Sequence, residues 1–202
     1  NSISHGIGAG LSIYGLYILL VLGVSVGDTW RVVSFSLYGF SLVFVFLSST
    51  LYHSFQHPPV KHFFRLMDHA GIFLMIAGTY TPFTLITLGG TFGWTLCGVI
   101  WVLALVGALM KMLFMAQLQG IGHWLYLGMG WMGLVALYPL FQALPTEGLL
   151  WLIAGGVLYS VGVIFYVGQK ITFNHFVWHL FVIAGALCHF LAIYLYVDPV
   201  TA

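Results

Sequence analysis

Two histidines, His175 and His179, stand four residues apart at the start of a long apolar run, in the segment Asn174-His175-Phe176-Val177-Trp178-His179. On a helix they share a face, with side chains close enough to grip one metal ion. Ser49, His53 and Asp68 interrupt apolar runs elsewhere. Together His53, His175 and His179 make a three-imidazole set of the kind that holds catalytic zinc, which keeps a fourth position for water. A closed structural site would usually show four protein ligands, commonly with cysteines. Zinc lowers the pKa of that water to about 7. Asp68 could hold or deprotonate the water, and Ser49, on the same helix face as His53, could hydrogen-bond it or a developing oxyanion. An HxxxH pair alone is a weak signal, since such pairs also occur where helices meet a membrane interface. The signal gains weight only if the fold brings all five residues to one place.

The totals say what sort of fold that must be. Of 202 residues, 61% are hydrophobic and only 4% charged, with a mean hydropathy of +1.07; an ordinary soluble domain has about a quarter of its residues charged. The chain is expected to be an all-α, polytopic membrane protein. A net charge of +1 and the lack of a basic run or low-complexity segment argue against nucleic acid as a partner. Apolar runs long enough to span, separated by Gly, Pro and the few charges, fall at about 5–26, 30–55, 64–88, 92–114, 122–144, 149–168 and 175–196. The expected architecture is one seven-helix bundle over residues 1–202, without internal repeats and with loops too short for a soluble domain. Thr81-Pro82 predicts a kink in the third run. The chain opens on Asn1 and not Met, so further residues are expected ahead of it. The first run has no small-residue cleavage site behind it and reads as a retained helix, not a signal peptide.

Lysines and arginines orient the bundle. Lys61, Arg65, Lys111 and Lys170 fall on the side that holds the N-terminus, and only Arg31 falls on the other, together with the acids Asp28, Glu147 and Asp198. By the positive-inside rule the N-terminus is expected in the cytoplasm and the C-terminus outside. His53 and Ser49 then lie near the inner end of the second helix, Asp68 in the first turns of the third, and His175 and His179 at the inner start of the seventh. All five reach one leaflet. An ionised Asp in a membrane span costs several kcal/mol unless paired or coordinated, which makes Asp68 a functional candidate.

The remaining polar residues read more plainly. His57 and His62 belong at the headgroup level, and His5, His69 and His123 are cytoplasmic-side histidines with no assigned role. His69 points about 100° away from Asp68 around the helix, and His189 lies about 15 Å beyond His179, out of reach of the same ion. It is expected to bond between helices or line a cavity. Cys97 and Cys188 sit in apolar runs and read as packing. Gly6 and Gly10 predict a close helix approach on the first helix.

The ordered set Ser49-Thr50-Leu51-Tyr52-His53, Asp68 with an apolar helix through Gly71 and Gly78, and His175-xxx-His179 followed by His189 resembles the hemolysin III family. That family is the bacterial branch of the progestin and adiponectin receptor superfamily, and the resemblance covers essentially the whole chain. It implies seven helices with a cytoplasmic N-terminus, opposite to G-protein-coupled receptors. It also implies zinc near the cytoplasmic leaflet, with His53, His175 and His179 as ligands, Asp68 as the water-linked carboxylate and Ser49 as the nearby hydroxyl. The superfamily is similar to the alkaline ceramidases, and its adiponectin receptors are associated with ceramide hydrolysis.

The reading that follows is a zinc-dependent, ceramidase-like hydrolase of the bacterial inner membrane, multi-pass, cleaving a lipid amide or ester and serving membrane-lipid homeostasis. Its partners are membrane lipids; the sequence gives no oligomeric state. The alternatives are a sensor or receptor whose zinc is structural, and a pore-forming hemolysin, which would need polar residues along a whole crossing.

Overall fold

A computed structural model describes residues 1–118, 121–168 and 172–197. Lys170 and Asp198, both used in the charge argument, lie outside the described residues. Among those residues there is no strand. The helices are α1 (Ser2–Val26), α2 (Thr29–Ser54), α3 (Pro58–Pro82), α4 (Gly90–Leu113), α5 (Gly122–Gly130), α6 (Leu137–Ala143), α7 (Thr146–Val167) and α8 (Asn174–Ala192). Seven helical segments among the described residues are long and apolar enough to cross a membrane. α5, a 3-10 stretch Trp131–Ala136 and α6 together make the fifth crossing, and α8 runs on through π-helical turns at Ile193–Val197 to complete the seventh.

Local chemistry sets the breaks. Gly27 ends α1 with φ of 74°, a left-handed conformation that favours glycine. Asp28 then caps α2, its carboxylate accepting from the Trp30 backbone N–H at 3.0 Å. His57-Pro58-Pro59 was expected to close the second run, with the third starting near residue 64. α2 in fact ends at Ser54, and the prolines open α3. Proline is at home in a first helical turn, where its missing N–H would have no partner. At Pro82 the helix does not simply kink but loosens into π-helical turns, Phe83–Leu88, ended by Gly89.

The fifth crossing departs from the expected continuous helix over 122–144. Its middle tightens into 3-10 turns just after Gly128 and Gly130, and Tyr80 of α3 secures the break. The Tyr80 hydroxyl donates to the Gly130 carbonyl at 2.5 Å and accepts from the Gly133 N–H at 2.6 Å. One phenol thus serves two backbone groups left without helical partners at the break.

α1 packs along α2, α2 along α3, α3 along α4 and α7 along α8, while α1 also meets α8, so the first and last crossings adjoin. Phe35, Tyr38, Leu19 and Ile100 are fully buried between them. The outer face is apolar too, as at Val102, Leu105 and Leu109 of α4, the arrangement a lipid solvent favours. Close approach does not use the expected glycines. A side chain at Gly10 would meet open space and one at Gly6 only ordinary contact, whereas Gly8 lies against the Phe46 ring and Gly39 against Leu16. The α1–α2 seam is therefore rotated away from the Gly6–Gly10 stripe. Cys97 and Cys188 are buried and unbonded to each other.

Candidate metal site

The last turns of α2 and the first turns of α8 face each other at one end of the bundle. His53, the last residue but one of α2, and His175 and His179, on one face of α8, each offer a ring nitrogen, and the three nitrogens all lie within 4.8 Å of one another. His53 Nε2 and His175 Nε2 are 3.2 Å apart. Two nitrogens at about 2.05 Å from a tetrahedral ion would stand about 3.3 Å apart. The donor set and its spacing therefore fit a divalent metal ion.

A hydroxyl from α1 settles how His179 is presented. Ser4 Oγ donates its one proton to the Asn1 carbonyl at 2.8 Å, so at its 3.1 Å contact with His179 Nδ1 it is the acceptor. His179 then carries its proton on Nδ1 and leaves Nε2 free as a ligand, the outer-shell support that metal-binding histidines usually have. His179 is 1% exposed, and the His5 ring stacks on it with centroids 3.5 Å apart. Phe46 meets the His5 ring edge-on.

Asp68 does not join the converging nitrogens. It lies on α3 with the Ser49 hydroxyl close enough to act on its carboxylate, and both line a cavity of about 750 Å³ with His175 and His179. That volume is within the roughly 300–1,000 Å³ of small-molecule sites. Its far walls are apolar, including Ile76, Phe83, Leu140 and Leu149. The cavity thus sets the Asp68 carboxylate and the Ser49 hydroxyl beside the imidazoles of His175 and His179 at one end and hydrocarbon at the other.

The five residues singled out in the sequence are therefore gathered at one end of the bundle, three as candidate ligands and two on the adjoining wall. Ser4 and His5 were missed as contributors. Their signal was present in hindsight: a polar Ser-His step at the head of an apolar helix, on the same side as the other histidines. His69 and His123 also line the cavity, so a 100° rotation from Asp68 did not remove His69 from it. His189 is outside the three-nitrogen cluster, as expected; it lines the same cavity, and its Nε2 donates to the Leu152 carbonyl of α7 at 3.1 Å. His57 and His62 are exposed.

With this geometry in view, comparison with known proteins is informative. The family described as "Haemolysin-III related" matches residues 1–190. The chain is 47% identical to a Bacillus cereus protein named Hemolysin-3 over 199 residues, covering 98% of this chain and 91% of that protein. It is 43% identical over 196 residues to the Hemolysin-3 homolog of Bacillus subtilis, covering 97% and 92%. It is also 30% identical over 180 residues to the human monocyte to macrophage differentiation factor, covering 85% of this chain and 74% of the human one.

Proposed function

Since this chain belongs to the haemolysin-III-related family of multi-pass membrane proteins, we propose that it is a zinc-dependent membrane hydrolase that cleaves an amide or ester bond of a lipid. The observation that carries the reading is the convergence of three imidazole nitrogens beside the Asp68–Ser49 pair at the head of an apolar cavity. His53, His175 and His179 would hold the zinc, which when bound supplies Lewis acidity to a carbonyl and to water. The chain's own groups do the rest. The apolar wall takes the acyl chain and keeps bulk water from it. Asp68, held by the Ser49 hydroxyl, takes a proton from the attacking water and returns it to the nitrogen or oxygen that leaves as the acyl bond breaks. Ser4 keeps His179 in the tautomer that binds.

The N-terminus lies in the cytoplasm in this reading, because Lys61, Arg65 and Lys111 share the metal end of the bundle, and the protein resides in the bacterial cell membrane. Purified protein should contain about one zinc per chain by elemental analysis and release fatty acid from N-acyl or O-acyl lipids. His175→Ala should lose both. Protein free of zinc would overturn the site, and zinc without turnover of any such lipid would overturn the hydrolase.

The contact of His53 with His175 supports a second reading, in which zinc is structural and ties α2 to α8 in a sensor. There, Asp68→Asn leaves every measurable property of the protein in place.

A further inference from the structure

One wall of the cavity carries two fixed cations, Arg65 and Lys111. Arg65 and His69 of α3, Lys111 of α4 and His123 of α5 all line it. Arg65 and Lys111 are close enough to act on each other's charge, and both act on His69. Lys111 is 5% exposed, its Nζ donating to the Leu118 carbonyl at 3.2 Å. Gly122 makes room for it, since a side chain there would collide with the ammonium.

Charge that serves only to orient a membrane protein sits in the headgroup layer, solvated and mobile. Arg65, half-buried, and Lys111, buried, instead line a cavity. Among the described residues the carboxylates are Asp28, Asp68 and Glu147. Asp28 pairs with Arg31 at the other end, Glu147 opens α7 at that same end, and Asp68 has the Ser49 hydroxyl beside it. No hydrogen bond or ion pair among the described residues engages the Arg65 guanidinium. Gathering two cations in a low-dielectric wall costs free energy that an anion between them would offset. A planar guanidinium with five donors is the side chain best suited to grip a phosphate or carboxylate.

Their place relative to the histidines gives the anion its setting. Arg65 precedes Asp68 by about one helical turn and lies nearer the start of α3, while the hydrocarbon wall lies beyond Asp68. A lipid with its acyl carbonyl at the histidines and its chain along that wall carries its headgroup toward the start of α3.

We propose that Arg65, assisted by Lys111, binds the anionic headgroup of the lipid, so that the ligand is an acylated lipid bearing a phosphate and not a neutral one. The inference rests on the hydrolase reading for where the carbonyl sits, but its test reads binding. Purified protein in neutral detergent is titrated with two fluorescent N-acyl lipids that differ only in a phosphate or hydroxyl headgroup, and with inorganic phosphate alone.

The phosphate lipid should bind about tenfold more tightly than its neutral twin, the scale of one charge-assisted contact. Arg65→Gln should erase that preference, Lys111→Met should reduce it, and Arg65→Lys should keep part of it. Unchanged affinity for the neutral lipid shows that each variant is folded. His175→Ala should keep the preference in full. Equal binding of the two lipids, or a preference indifferent to Arg65→Gln, overturns the proposal. Competition by millimolar inorganic phosphate as effective as the phosphate lipid itself overturns the lipid assignment in favour of a soluble anion. Headgroup preference in a protein that cleaves no lipid supports this inference while overturning the hydrolase.

Discussion

The two ends of the bundle treat their polar residues in opposite ways. At the end where α1 gives way to α2, Asp28 caps the helix, accepts from Trp30 and pairs with Arg31 at 3.2 Å, all within three residues. Trp30 and Trp94 meet edge to face beside them. At the other end, three imidazole nitrogens point at one another, and Asp68, Arg65 and Lys111 line a shared cavity. Charges satisfied by near neighbours in sequence build scaffold. Polar groups gathered from four different helices around one end of the bundle build a site.

Three substitutions sharpen that contrast or break it. The largest effect belongs to Asp68→Asn, which keeps the shape and removes the proton acceptor. Turnover of the lipid substrate should fall by about 10²- to 10⁴-fold while zinc content by elemental analysis stays at the wild-type level; a variant as active as wild type would return Asp68 to the scaffold. Next comes Ser4→Ala, which frees His179 Nδ1 of its partner. Zinc affinity, measured by competition with a chelator, should weaken about 10- to 100-fold, and an unchanged affinity would show that α1 only packs against the site. The smallest effect is expected at the opposite end. Asp28→Ala removes the α2 cap and should cost about 1 kcal/mol of stability, read by denaturant unfolding in detergent, with zinc and turnover unaltered. The exposed pair with Arg31 adds little to that figure. Loss of activity in Asp28→Ala would erase the distinction between the two ends.

Most of the site was legible because polar residues in apolar runs are expensive and thus conspicuous. His53, Asp68, His175 and His179 each stand out against hydrocarbon neighbours, and the alternation of successive crossings was enough to assign them one end of the bundle. The α1 contribution was not legible in the same way. Whether His5 stacks on His179 depends on the rotation of α1 and its crossing with α8, and no period in either segment records that angle. The misplaced Gly6–Gly10 seam has the same origin: a glycine permits approach but does not say which neighbour arrives. The break in the fifth crossing was hidden because hydropathy reports that a segment can span, not how its backbone is hydrogen-bonded, and its partner Tyr80 lies 50 residues upstream of Gly130. Arg65 and Lys111 were read as topology signals, since only the folded chain reveals that they share a cavity.

The placement of the ligands on α2 and α8 also bears on how the protein is made. A chain emerging from the ribosome inserts its first crossings before its last, and His53 can wait in the membrane long before His175 and His179 exist. The metal site is closed only when the final crossing has docked against the first, where Ser4 meets His179. In the zinc reading, metal uptake is thus the closing event of biogenesis, and a chain stalled short of α8 offers only His53 of the three histidines.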